Sequence, residues 1–205
     1  HHAFASLTAT ALDSRPTTLQ KYPQSAAYIA ALEDAGQRVL FGVDATRLAP
    51  TRGERAFLRP RDGDGDDRAG FTRVVFNFPH AGGVTRDVNR QVRLHQELLV
   101  AFFRGVGAVL AADQGDGGGH QDEEEEEPTV VVTLFEGEPY TLWNVRDLAR
   151  HTGWLVRRSF RFDFAAYPGY AHARTLGNVV GKTEGGAWRG EDREARSFVF
   201  ARKRG

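Results

Sequence analysis

Six short apolar runs, divided by segments with helical spacing, limit what this chain can fold into more than any other feature. Residues 6–12 (SLTATAL), 38–43 (RVLFGV), 72–78 (TRVVFNF) and 129–135 (TVVVTLF) read as strands. By composition the third is a buried strand, and the fourth is the most strand-like run in the chain. Between the first two, residues 16–35 read as helix, broken near Pro23 and stopped by Gly36. Within residues 87–112, Val88, Val92, Leu99, Phe102, Phe103, Val106 and Leu110 recur at helical spacing, the clearest amphipathic helix in the chain. Residues 143–151 read as a short helix closed by Gly153, and residues 154–162 and 197–201 as a closing antiparallel pair. Strands alternating with helices predict an α/β fold: a mostly parallel sheet covered by helices, with an antiparallel C-terminal hairpin.

A chain of 205 residues that is 40% hydrophobic can bury one core, so residues 1–205 are expected to form a single domain. Two stretches read as flexible insertions: 49–70, which contains DGDGDD, and 113–128, which is glycine-rich and then carries six consecutive acids from Asp122 to Glu127. There is no cysteine, which excludes disulfides, thiolate zinc sites and cysteine nucleophiles. The seven histidines show no metal-ligand spacing, so no metal is expected. No apolar run approaches the roughly 20 residues that cross a bilayer, so no membrane partner is expected. The sequence has no methionine and reads as starting inside a longer protein. The net charge is zero. Residues 140–205 nevertheless hold thirteen Lys or Arg against six Asp or Glu, which allows a basic surface as well as an ordinary mixed one.

In parallel α/β sheets ligands bind beyond the C-terminal strand ends, where this sequence places Asp13 with Ser14, Asp44 with Ala45, and Asn77 with Phe78, Pro79 and His80. An acid at such an end can accept two ribose hydroxyls at once; it can also be a helix cap or turn residue. Two acids on consecutive units, followed by an aromatic–proline strand end, favour a nucleotide-like cofactor. Asp13 then suits the ribose and Asp44 the neighbourhood of the base. The loop carrying Tyr167, Tyr170, His172 and Arg174 offers aromatic faces and a guanidinium, suited to an unpaired base and its phosphate. Its alternative is a packed loop with its tyrosines partly in the core. Arg86, Arg90 and Arg93 open the long helix and could touch phosphates or form a solvated face.

The segments ATALDS, KYP, GVDAT, VVFNFPHAGG, NRQVRLHQELLVAFF, VTLFEGEPYTLWNV and YPGYAHARTLG occur in this order. Together they resemble the 25S ribosomal RNA (uridine-N(3)) methyltransferase family over residues 7–200, apart from the two insertions. FNFPH is also similar to the strand-four motif of amino-directed methyltransferases, with Phe78 before the proline and His80 after it. The resemblance implies a Rossmann-like class I methyltransferase sheet, S-adenosyl-L-methionine as cofactor, a uridine of large-subunit ribosomal RNA as acceptor, and a nucleolar location in the nucleus. It implies cofactor contacts from Asp13, Ser14, Asp44, Ala45, Asn77, Phe78 and Pro79, and RNA contacts from Tyr167, Tyr170, His172 and Arg174. The family opens with a strand and a glycine-rich turn, GEGDFSFS, that the sequence begins after, so the two halves of the sheet are expected to face each other across a gap. His95 stands where the family more usually has asparagine, and Phe135-Glu136 where it often has lysine after VTL.

Methylating ring nitrogen 3 of uridine needs loss of the imide proton and in-line attack on a sulfonium methyl. His80 is the candidate base or orienter, its alternative being a ring that bonds the turn backbone. Asn77 could bond a uracil carbonyl or the cofactor. Two further readings stand beside this one: a non-catalytic RNA-binding or ribosome-assembly module that keeps the fold, and a Rossmann-like enzyme using another nucleotide.

Overall fold

The computed structural model describes residues 6–48, 70–82, 87–112, 127–170, 172–173 and 190–203. Strand β1 (Thr8–Ala11) lies parallel to β2 (Arg38–Phe41), with Thr8 opposite Arg38 and Ala11 opposite Phe41. Helices α1 (Arg15–Lys21) and α2 (Ser25–Asp34) form the crossover between them. Ser14 caps α1 by accepting the Thr17 N–H, and Pro16 sits in the first turn, where its missing N–H leaves nothing unsatisfied. At the end of α2, Gly36 takes φ +72° while the Gln37 N–H reaches back 2.9 Å to Leu32 O. That left-handed stop favours glycine.

Four further strands form a second sheet in the order β3 (Arg73–Asn77), β4 (Thr129–Phe135), β6 (Ala195–Arg202), β5 (Trp154–Arg161). β3 is parallel to β4; β6 runs antiparallel between β4 and β5. Asp87 caps the long helix α3 (Val88–Val106) through the Arg90 N–H, and α4 (Val145–His151) precedes β5. The apolar stripe of α3 buries Leu99, Phe102, Phe103 and Val106 against Val130, Val132, Trp154 and Phe200. Burial of each such side chain stabilises by about 1.5–3 kcal/mol. The Trp154 indole N–H is satisfied by Phe103 O at 2.8 Å. Thr133 and Ser197, cross-strand partners on β4 and β6, bond each other at 2.8 Å out of water.

Three expectations change. The third strand is not buried: its residues alternate between exposed and half-buried, and Val75 is 54% exposed. Composition could not reveal this, because burial depends on neighbours, and among the described residues β3 pairs only with β4. Among the described residues the pairing is evenly divided rather than mostly parallel, since β6 inserts between β4 and β5 and makes two antiparallel ladders. The long helix stops at Val106 rather than at residue 112, and Leu110 instead bridges to Phe71. Residues 49–69 and 113–126, the bulk of the expected insertions, lie outside the described residues.

Among the described residues β1 and β2 form a sheet of their own, with no ladder to β3. The two parts are joined by side chains. A 3₁₀ turn, Ala45–Arg47, follows β2 and packs on α3, and Leu48 is buried within the main core with Val43 and Ala45 against it.

Candidate functional site

The residues singled out by sequence fall at the C-terminal ends of β1, β2 and β3. Two backbone bonds hold the first two ends side by side: Val43 N–H to Ala11 O at 3.0 Å and Gly42 N–H to Asp13 O at 3.3 Å. Asp13 is half-buried, and both its carboxylate oxygens accept from Lys21 Nζ, at 2.8 and 3.0 Å. That bond holds the Lys21 ammonium above its ordinary pKa, its burial and the Asp13 charge adding smaller and opposing effects. Asp44 caps the 3₁₀ turn after β2. Its Oδ1 accepts the Thr46 N–H at 2.8 Å and the Thr46 hydroxyl at 2.7 Å. The hydroxyl bond first, and the N–H bond second, hold this carboxyl below the usual carboxylate range. Both bonds fall on one oxygen, so the carboxylate is ionised and aimed while keeping accepting capacity. Ser14 is exposed and serves as the cap of α1; Ala45 is half-buried against the core.

At the end of β3 the chain makes a strained turn. Asn77 is exposed opposite Thr133, and Phe78 takes φ +50° while its N–H donates to Thr133 O at 2.8 Å. A non-glycine aromatic at positive φ is uncommon and persists only where its surroundings fix it. Here the surroundings are rings. Phe78 meets Phe135 at 4.7 Å, Phe162 at 5.6 Å, Phe164 at 6.0 Å and His172 at 4.6 Å. Phe78 is therefore packed as the centre of an aromatic nest. Pro79, next to it, is buried.

His80 follows. Its Nδ1 accepts the Gly82 N–H at 3.0 Å, and its ring stands edge to face with His95, centroids 4.5 Å apart. The residue as a whole is exposed, but its packed ring is partly desolvated. That desolvation, with the His95 ring adding to it, lowers the His80 pKa below that of free histidine. His95 is only 3% exposed; its Nδ1 lies 2.7 Å from Gln91 O, and burial depresses its pKa as well. Its ring stacks on Trp143 at 4.1 Å and 8°.

The second cluster lies over the nest. Tyr167 stacks on Phe162 at 5.1 Å, and Tyr170 on Phe164 at 5.9 Å. Both tyrosines remain exposed, so each is backed by a phenylalanine with surface left for a ligand. The Tyr170 hydroxyl bonds His172 Nδ1 at 3.0 Å, and the His172 ring packs on Phe135 as well as Phe78. Gly190 approaches His172 so closely that a Cβ there would lie 2.7 Å from the ring. Arg193 places its guanidinium 5.0 Å from the rings of both Phe135 and Tyr140. Arg174 and Arg86 lie outside the described residues; Arg90 and Arg93 are exposed on α3. Sequence reasoning missed His95 as a neighbour of His80, and missed Trp143, Phe162, Phe164 and Arg193. For His95 a signal existed: it sits three residues after Val92 and four before Leu99, on the apolar stripe.

Among the described residues no group of three or more His, Cys, Asp or Glu is placed to hold a metal, and no helix is long and apolar enough to cross a membrane. A small surface pocket lined by Ala111, Glu127, Pro128 and Arg202 lies at the N-terminal end of β4, the far end of the sheet from these residues.

Acids stand at the ends of two adjacent parallel strands of an α/β protein, and an aromatic–proline turn closes a third strand. Residues 1–174 match the family described as rRNA (uridine-N3-)-methyltransferase BTM5-like, and the chain belongs to that family. It is 27% identical over 195 residues to the 25S rRNA (uridine(2634)-N(3))-methyltransferase of Saccharomyces cerevisiae, covering 83% of this chain and 56% of that protein. It is 30% identical over 171 residues to heavy metal-associated isoprenylated plant protein 41 of Arabidopsis thaliana, covering 83% of this chain and 28% of that protein. The chain thus spans about half, or less, of the length of these relatives. A solved TehB-like SAM-dependent methyltransferase from Corynebacterium glutamicum is similar at a TM-score of 0.43 and 14% identity, covering 97% of this chain and 68% of that one.

Proposed function

We propose that this chain is part of a methyl-transfer domain that uses S-adenosyl-L-methionine to methylate N(3) of a uridine in large-subunit ribosomal RNA, acting in the nucleolus. The observation that carries the reading is the side-by-side placement of Asp13 and Asp44, one of them ionised and pre-aimed, in a chain of this family.

The residues suit such a cofactor. Asp13 is bonded to Lys21 but half-exposed, and can take the ribose hydroxyls. Asp44, with Oδ1 fixed by Thr46, can accept from an adenosine donor through Oδ2. Ser14, Ala45, Asn77, Phe78 and Pro79 border these ends; Ser14 and Phe78 act as cap and packing centre, and the exposed Asn77 amide is left to face cofactor or uracil. When bound, S-adenosyl-L-methionine supplies an electrophilic methyl group. The exposed faces of Tyr167 and Tyr170 suit stacking on unpaired bases, each worth about 1–3 kcal/mol, with His172 bracing Tyr170. Arg174 belongs to the same proposed contact.

His80 suits the role of orienter rather than base. With Nδ1 accepting from Gly82, the neutral ring carries its proton on Nε2 and can only donate there. Donation to a uracil carbonyl stabilises the anion left when N(3) loses its proton, and that proton passes to solvent.

Titration calorimetry with S-adenosyl-L-methionine and its demethylated product tests the reading, on this chain and on an N-terminally extended one. Binding by the extended chain is expected, and Asp44→Ala should weaken it at least tenfold. No heat from the extended chain would sink the enzyme reading. The non-catalytic RNA-binding alternative is favoured by one observation, the Lys21 ammonium already seated on Asp13. It predicts RNA binding without cofactor heat.

A further inference from the structure

The FNFPH turn holds more than one histidine can explain. His80 on the turn, His95 on α3 and Trp143 in the 3₁₀ turn Tyr140–Trp143 form a continuous run of three rings, the first pair edge to face and the second stacked. The last two are almost completely buried, at 3% and 2% exposure. Each bears a buried nitrogen without a hydrogen-bond partner among the described residues, Nε2 of His95 and Nε1 of Trp143. A carbonyl can only accept, so the bond from His95 to Gln91 O puts a proton on Nδ1 and leaves the bare lone pair on Nε2. Charging His95 would therefore bury an imidazolium N–H with nothing to receive it, which is costly. His95 stays a neutral, immobile wall.

His80 is bound by the complementary constraint. Its Nδ1 accepts a backbone N–H, so protonating that atom would set two N–H groups against each other and open the turn. Among the described residues the ring in contact with it is that of His95, and burial is the larger cause of its lowered pKa. The groups nearest in sequence on the face of α3, Gln91 and Val92, carry no charge.

We propose that His95 is a positioning residue for His80: clamped on Trp143 and tied to Gln91, it walls one side of the His80 ring and fixes the single neutral form that accepts from Gly82 and donates through Nε2. The proposal deepens the methyltransferase reading, resting on it only for the uracil carbonyl that Nε2–H meets. It places specificity for that role on a contact between two histidines, one of which never touches substrate.

Nitrogen-15 NMR of histidine-labelled chain tests it without cofactor or RNA, with His80→Gln used to assign the signal. The wild-type His80 should show a protonated Nε2, a bare Nδ1 and a titration midpoint below that of free histidine. In His95→Ala the midpoint should rise toward the ordinary value and the two tautomers should mix. In His95→Phe, which keeps the wall and the stack on Trp143, the midpoint should stay low and the Nε2–H form should persist. An ordinary wild-type midpoint, or a protonated Nδ1, overturns the proposal even if His95→Ala does not fold. So does a folded His95→Ala that leaves His80 unchanged, or a His95→Phe that behaves like it. Failure of the N-terminally extended chain to bind S-adenosyl-L-methionine, by contrast, would remove the methyltransferase reading and leave these titrations as they stand.

Discussion

Asp44 receives both of its bonds from one neighbour, the Thr46 N–H and hydroxyl, and both reach the same oxygen. Because the folded-state pKa is depressed, the stability this pair contributes is present above the unfolded value near 3.8 and is lost as pH falls through the lower folded value. Thr46→Val removes the hydroxyl bond, the larger cause of the shift. The variant should be less stable by roughly 1 kcal/mol at neutral pH. Its folded pKa moves back toward the ordinary one, so its urea midpoint should fall less steeply in acid and the two proteins should converge well below pH 3.8. Parallel curves down to the lowest pH would mean the hydroxyl does not bear on the carboxylate. At this scale the sequence was informative about position and less so about occupation. Strand-end residues such as Asp13 and Asp44 stand out in one dimension, but the Lys21 ammonium on one and the Thr46 cap on the other depend on local geometry.

The β4–β6 ladder carries a polar pair inside the apolar layer, and its register makes it testable. Thr133 lies opposite Ser197, and their hydroxyls satisfy each other where water does not reach. Thr133→Val should destabilise by about 1–3 kcal/mol, since it strands the Ser197 hydroxyl. Adding Ser197→Ala should recover part of that loss, giving a coupling of about 0.5–3 kcal/mol in a double-mutant cycle of urea melts. Simple additivity would show that the hydroxyls are not partners. Elements of this kind were legible to different degrees. β4 was found to the residue because its seven positions are uniformly β-prone, and α3 was found as a helix, though read six residues too long, because its stripe recurs over five turns. β3 was assigned correctly as a strand and wrongly as buried, since Val74 and Phe76 turn inward while Val75 faces out. The aromatic nest was illegible: Phe78, Phe135, Phe162, Phe164 and His172 come from β3, β4, the end of β5 and two loops. Only the strand order brings them together.

The two sheets differ in how they are held, and this difference reaches function. β4 and β6 lie between partners, with Val130, Val132, Phe200 and Ala201 buried, whereas no residue of β1 or β2 is buried. A lone two-stranded sheet is marginal in water, so β1–β2 depends on the seating of the Ala45–Arg47 turn and Leu48 against the main core. That turn begins with Asp44, and Asp13 hangs from the same pair of strand ends. The proposed cofactor acids thus stand on the less stable part of the chain, while the nest and the His80 stack stand on the more stable one. Native-state hydrogen exchange should reveal this division: the Val39–Phe41 amides of β2 should exchange through local opening, at lower free energy than those of Val130–Leu134. An N-terminal extension that supplies a strand between β1 and β3 would add ladders to two edges that carry none among the described residues. Exchange in β2 should then slow at least about tenfold, equivalent to about 1.4 kcal/mol, with little change in β4. If β2 is already as protected as β4 in the present chain, packing through the Ala45–Arg47 turn suffices. Weak cofactor binding by the chain would then need a cause other than a loosely held pair of strands.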